Sequence, residues 1–374
     1  MGTEDRLPPD STTKHHRLMV NDDDALLKQV DRVLSEREAA GLDGLVGDLQ
    51  CIVVNTEPAL LQDAAGEFLQ FTGYDLVSAA ESVDRQHCLL QCPGSADVLL
   101  TARTSDTSRF PCCQTPRCMH LPHARLETFV FTTPDLRRYV EIQKQRKVTF
   151  MTNEIVETDT CRYIQTAPST LTGNSVGLVE WTSAARSYDR PGDRPLAWNL
   201  AKPDTGYQRH VRQLDHAATR VRAEDRDAAI LEFMALTNYT FAFAIHVPNL
   251  NSITNVARLP DATFAMVFTS GERPYIGDAE SGPTERFVHY YGPRVHHLAF
   301  HTEQIEETFA GLKQDGMDFL VDLVGSPQEG LKQTFSGMSP TTLLVNEYIH
   351  RYGDFDGFFT QDNVAALTEA TGRQ

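Results

Sequence analysis

The sequence is short of positive charge. Against 51 Asp and Glu stand 34 Lys and Arg, a formal net charge of −17. So acidic a chain repels nucleic acid and anionic membranes, and neither is an expected partner. Long apolar runs are also missing: none approaches the roughly 20 residues that cross a bilayer. The opening stretch "MGTEDRLPPDSTTKHHRLMVNDDD" holds no apolar signal core and reads as a polar, flexible tail over 1–24. Its Met-Gly start lacks the Ser or Thr that an acylation signal carries further on, since Arg6 stands there. The seven cysteines are an odd number without framework spacing, which predicts reduced thiols and a cytoplasmic location. With 41% hydrophobic and 23% charged residues the chain is globular, and 374 residues exceed one ordinary core, so two domains are expected.

Four stretches repeat one pattern: an alternating strand, a turn, then an amphipathic helix. They begin at Gln50 ("QCIVVNTEPALLQDAAGEFLQFTGYD"), Leu126, Leu214 and Val295, with spacings of 76, 88 and 81 residues. Each strand alternates with period two, and each helix places apolar residues at i, i+3, i+4 spacing, as Ile305, Phe309 and Leu312 do. Short β-rich runs such as "TFAFAIHVP" and "TTLLVNEYIH" follow the helices. Each unit therefore reads as βαβββ. Repeats of this length are too long for a solenoid. The expected fold is α+β: four modules paired into two curled mixed sheets with helices outside. The Pro-, Gly- and charge-rich stretch around 186–208 reads as the linker between domains over 25–185 and 209–374.

Only the third and fourth units carry a histidine on the first strand, His216 in "LDHAATRV" and His297 in "VHHLAFHT"; the first two place Cys51 and Thr128 near there. Adjacent strand residues point to opposite faces, so His296 is expected to face away from His297. His301 shares the inward parity but lies ~13 Å along the strand. Glu347 sits in an otherwise apolar strand, where a carboxylate needs a partner. Two imidazoles and one carboxylate form the facial triad of non-haem Fe(II), with three positions open for a bidentate substrate and O2. A second cluster, Cys112, Cys113, Cys118, His120 and His123, lacks standard zinc spacing and is read as a loop of reduced thiols.

Over residues 210–370, "LDHAATRV", "LNSI", "VHHLAFHTEQIEETFAGLKQDGMDFL", "LKQTF", "NEYIHRYG" and "GFFTQDNVAAL" stand in the order of the 4-hydroxyphenylpyruvate dioxygenase family. The sequence resembles that family, which belongs to the vicinal-oxygen-chelate superfamily. The resemblance implies vicinal-oxygen-chelate domains, with His216, His297 and Glu347 as iron ligands. It implies that Ser252, Gln333, Phe335 and Asn363 line the substrate pocket, and that 354–370 is a closing helix. It further implies oxidative decarboxylation of a 2-oxo acid with O2, hydroxylation of the same molecule, and a homo-oligomer. The N-terminal domain, without ligands, would serve folding or oligomer contacts. Several positions depart from the family. Gly271 replaces an Asn, Arg286 stands for a pocket Gln among the substrate-binding residues, His296 stands for a Gln beside the second ligand, where it would tune the site from behind, and Val364 replaces an aromatic clamp. These changes point to a substrate other than 4-hydroxyphenylpyruvate, with a smaller, aliphatic or differently substituted side chain.

Three other readings are open at this level. An extradiol ring-cleavage dioxygenase uses the same ligand set and needs acid–base groups, for which His246, His289, Tyr290 and Tyr348 are available. A non-catalytic binding protein could keep the fold. A Zn²⁺ or Ni²⁺ lyase or isomerase would want a fourth protein ligand.

Overall fold

The computed structural model describes residues 21–104, 108–190, 192–355 and 357–374. Most of the tail expected over 1–24 lies outside them. Helix α1 (Asp23–Ala40) starts on the side-chain cap of Asp22 and stops at Gly41. Two modules follow: β1 (Leu49–Thr56), α2 (Leu61–Phe71), β2 (Asp75–Glu81), β3 (Arg85–Gln91) and β4 (Asp97–Arg103), then β5 (Arg125–Thr132), α3 (Leu136–Gln145), β6 (Val156–Glu157), β7 (Cys161–Gln165) and β8 (Ser175–Trp181). Strand β9 (Arg194–Pro195) comes from the expected linker and pairs with β2. The second half repeats the order: β10 (Val211–Arg220), α4 (Arg226–Leu236), β11 (Thr240–Val247), β12 (Ser252–Arg258) and β13 (Ala265–Ser270). After α5 (Pro283–Tyr291) come β14 (Arg294–Thr302), α6 (Ile305–Gln314), β15 (Val324–Ser326), β16 (Leu331–Met338), β17 (Val345–Arg351) and α7 (Gln361–Ala370).

The strands form two mixed sheets, ordered β6-β7-β8-β5-β1-β4-β3-β2-β9 and β11-β12-β13-β10-β14-β17-β16-β15. Within each module the first strand lies parallel to the last, as β10 does to β13 and β14 to β17. Modules join through antiparallel first strands, β1 with β5 and β10 with β14. This is the α+β architecture of paired βαβββ modules that the repeats predict.

One apolar core runs through both halves. Phe131 of β5 packs on Phe233 and Tyr239, with ring centroids 5.9 and 5.5 Å away, and Tyr74 meets Phe300 at 6.3 Å. Helix α1 lies against α4 of the second half. There the fully buried Arg226 bonds Asp23 and donates to Asn255 Oδ1 at 2.9 Å, while Arg37 donates to the Tyr239 carbonyl at 2.8 Å. Strands β10 and β14 are buried on almost their whole length, because helices cover one face and α7 closes the other. Since Phe131 bridges the halves, Phe131→Ala should cost about 3–5 kcal/mol. Urea unfolding should stay a single transition moved to lower denaturant; two separate transitions in the parent protein would contradict a shared core.

Candidate metal centre

Three adjacent strands set the centre through their register. His216 on β10 pairs with Ala299 on β14, and Ala299 pairs with Glu347 on β17. The small Ala299 side chain therefore sits between a histidine and a carboxylate that share its face. His297, two residues before Ala299, falls on the same face. The outcome is a tight cluster: His216 Nε2 is 3.1 Å and His297 Nε2 is 3.2 Å from the same atom, Glu347 Oε2. All three side chains are buried, and their ligating atoms lie within 4.8 Å of one another.

Each imidazole is oriented from behind. His216 donates from Nδ1 to Asp215 Oδ1 at 2.8 Å, and Arg351 holds Asp215 through two further bonds. His296 donates from Nε2 to Gln374 Oε1 at 2.8 Å, so its Nδ1 is an acceptor. His297 Nδ1 lies 2.9 Å from that acceptor and carries the proton. Both histidines thus have Nδ1 fixed by an outer partner and Nε2 turned toward the shared site, the arrangement that metal-binding histidines adopt.

The position of His296 corrects the parity expectation. Ala218 pairs with His297 but Thr219 pairs with Val295, so His296 is the extra residue of a β-bulge. A bulge breaks the in–out alternation. The ring of His296 stands edge-on to that of His297, centroids 5.1 Å apart, instead of pointing across the sheet. The first half repeats the irregularity between Val53 and Val54, which makes Glu127 the bulged residue. By ladder position Cys51, Thr128 and Gly177 correspond to His216, His297 and Glu347. That half encloses a larger cavity, about 320 Å³, but the matching positions hold no ligand set.

The cavity beside the triad is small, about 40 Å³. Gln333, Phe335 and Val364 line it, with the Phe335 ring 4.7 Å from that of His297. Three other expected residues do not. Ser252 is buried one step behind the wall, 3.1 Å from the lining Thr284. Asn363 is buried against Gly325 on the outer side of α7. Arg286 faces a separate surface cleft beside Gly372, because its position on α5 turns it away from the sheet. Where the family has Asn, Gly271 leaves room for the buried Glu285 carboxylate, which accepts from Gly271 N at 2.7 Å and is pushed up by burial to about 7.

Several residues escaped sequence reasoning. Asp215 was signalled only by its place before His216. Phe358 and Phe359, just ahead of α7, stand 5.4 and 5.2 Å from the His216 ring and supply the aromatic wall that Val364 does not. Arg220 lines the cavity two residues beyond Ala218. The Cys112–His123 segment forms no metal-holding group among the described residues. Where reduced thiols are expected, a turn at Thr115 brings Cys113 and Cys118 to a Cα separation of 5.7 Å, within the span that a disulfide bridges.

Burial alone would hold His216 neutral, but the Glu347 and Asp215 carboxylates outweigh it and raise the imidazole to about 9. Burial would raise Glu347, yet the two imidazoles draw it down to about 2. Burial lowers His297 despite Glu347, and it holds His296 well below the usual histidine range. The metal-free centre is therefore a charged His216–Glu347 pair with a neutral His297. The raised His216 contributes stability that is complete below 6.5 and lost as pH rises through about 9; the depressed Glu347 contributes stability present above 4.5 and lost as pH falls toward about 2. Metal-free protein should be most stable near pH 5.5, and Glu347→Gln should flatten the decline between pH 5.5 and 9.5. An unchanged decline in thermal melts of that variant would refute this assignment.

No family model matches the chain, and no curated protein matches it. Solved structures do. A triple mutant of 4-hydroxymandelate synthase from Streptomyces coelicolor superposes with a TM-score of 0.66 at 16% identity, over 88% of this chain and 99% of that one. A xylose isomerase-like TIM barrel/4-hydroxyphenylpyruvate dioxygenase fusion protein superposes with a TM-score of 0.59 at 14% identity. The likeness covers 88% of this chain but 53% of the fusion, so the chain spans about half of that protein's length. The chain has the paired-module, vicinal-oxygen-chelate fold of these proteins.

Proposed function

We propose that the chain is an Fe(II)-dependent dioxygenase that decarboxylates a 2-oxo acid with O2 and hydroxylates the same molecule. The observation that carries this reading is the convergence of two imidazole nitrogens on one buried carboxylate oxygen, with no fourth His, Cys, Asp or Glu in the group among the described residues. Such a set leaves half of an octahedral shell open, the pattern of non-haem Fe(II) oxygenases, whereas structural zinc takes four protein ligands. The donor set also suits a cation. Glu347 Oε1 is buried without a partner, and His297 Nε2 offers a lone pair. When bound, Fe(II) would supply a Lewis-acidic seat for the 2-oxo acid and the means of activating O2.

The remaining tasks belong to the chain. Asp215 and His296 hold the ligand rings in their tautomers. Phe335, Phe359, Val364 and Leu367 keep the cavity dry, and α7 covers it. The Gln333 amide, buried with both polar atoms unpaired, is available to orient a polar substrate group. The net reaction, R–CH2–CO–COO⁻ + O2 → R–CH(OH)–COO⁻ + CO2, balances without an added reductant or external 2-oxoglutarate. Likeness in fold to 4-hydroxymandelate synthase and to the dioxygenase fusion supports this chemistry. The small cavity and the changes at Gly271, His296 and Val364 favour a substrate more compact than 4-hydroxyphenylpyruvate.

Ring cleavage is less well supported, because none of its candidate acid–base groups lines the cavity. His246 bonds Asp23 and Glu272, His289 stacks on Tyr275, Tyr290 bonds Asp278, and Tyr348 bonds the Phe71 carbonyl.

Anaerobic reconstitution with Fe(II) followed by 2-oxo acids should give a visible charge-transfer band, then CO2 on admitting O2. His297→Ala should weaken Fe(II) binding at least a hundredfold. Asp215→Asn and His296→Ala, which remove the orienting partners and keep the three proposed ligands, should cost roughly 10–100-fold. Full iron occupancy and turnover in the His297 variant, or cleaved catechol in place of CO2, would reject the proposal.

A further inference from the structure

Arg220 is a buried cation without a counter-charge. It is 4% exposed, and it forms no ion pair among the described residues. Its Nη2 donates to Thr371 Oγ1 at 2.9 Å, its guanidinium lies 4.7 Å from the Phe287 ring centroid, and its Nη1 is buried without an acceptor. Burial alone pushes it down to about 9. A guanidinium stripped of water and left unpaired is strongly unfavourable unless something at hand supplies an anion.

Its place suggests what that is. Arg220 shares the face of His216 and Ala218 on β10, and it lines the same cavity as His297 and Glu347. The one acid in that lining, Glu347, is already taken by two histidines. Thr269, whose Oγ1 is buried and unpaired, lies beside it, and the Gln333 amide completes a polar wall. The cavity thus holds a cation, Arg220, with no acid in its lining free to neutralise it.

We propose that Arg220 binds a second anionic group of the substrate, so that the compound taken is a short 2-oxo acid with a carboxylate at its far end. This rests on the 2-oxo acid reading above for the other end of the molecule. Arg220 is then the residue that decides specificity, through charge-assisted bonds from Nη1. Arg286, on its separate cleft, plays no part.

The test compares 2-oxoglutarate with 2-oxopentanoate, which has the same chain length but no terminal carboxylate. Affinity is read anaerobically with Fe(II), from the charge-transfer band. In parallel, glutarate is added to metal-free protein and the melting temperature is followed. The parent should bind 2-oxoglutarate roughly 10–100-fold more tightly than 2-oxopentanoate. Arg220→Met should erase that difference, leave 2-oxopentanoate affinity unchanged and abolish the shift caused by glutarate. Arg220→Lys, which keeps the charge, should retain part of the preference and serves if the Met variant does not fold. Equal binding of the two acids by the parent protein, or a preference that survives in Arg220→Met, overturns the proposal while the Fe(II) reading stands. If no 2-oxo acid gives a band but glutarate still raises the melting temperature through Arg220, the anion site stands and the catalytic reading fails.

Discussion

Two histidines on one carboxylate oxygen form the interaction around which the second half is arranged. Placing Glu347 in an apolar strand is tolerable only because His216 and His297 reach the same Oε2 from different strands. That meeting needs β10, β14 and β17 side by side in a single register, with an alanine at the crossing point. A slip of one residue in either ladder would turn one of the three side chains to the opposite face. The parallel pairing of first and last strands, the helices that carry the chain back, and the joining of two modules all serve to hold that register.

The C-terminal segment completes the centre from the other side. Phe358 and Phe359 stand against His216, α7 covers the opening, Thr371 accepts from Arg220 and Gln374 accepts from His296. One stretch of chain therefore touches a proposed ligand, the residue that sets the tautomer of another, and the proposed anion anchor. Thr371 and Gln374 follow directly on α7, so the cover of the cavity and both hydrogen bonds belong to one segment. The first half shares the bulge and the ladder but has Cys51, Thr128 and Gly177 where the ligands would stand. Its contribution seen here is the common core around Phe131 and Tyr74.

Much of this was readable in advance because it depends on periodicity. Four copies of one strand–helix pattern specify four modules, since period two and period 3.6 leave different marks on a sequence. The triad residues were readable because a histidine or glutamate inside an apolar strand is costly and therefore informative. Substrate-lining residues were less legible. Ser252, Asn363 and Arg286 were placed by likeness in sequence, and the orientation of β12 for the first and of α7 and α5 for the others put each outside the cavity wall. The bulge at His296 leaves no trace in composition, because it is a property of how two strands pair and not of either strand alone.

The sequence by itself determined the modules, the acidic surface and the identity of the three residues that meet at the centre. Those follow from local pattern and from the penalty on buried polar groups. Tertiary structure decided which atoms face the site, which second residues orient them and where the unpaired charge of Arg220 lies. Each of these depends on contacts between strands and helices far apart in the chain. His296 is the clearest instance: its residue type was visible at once, but its role came from a single extra residue in the pairing of β14 with β10.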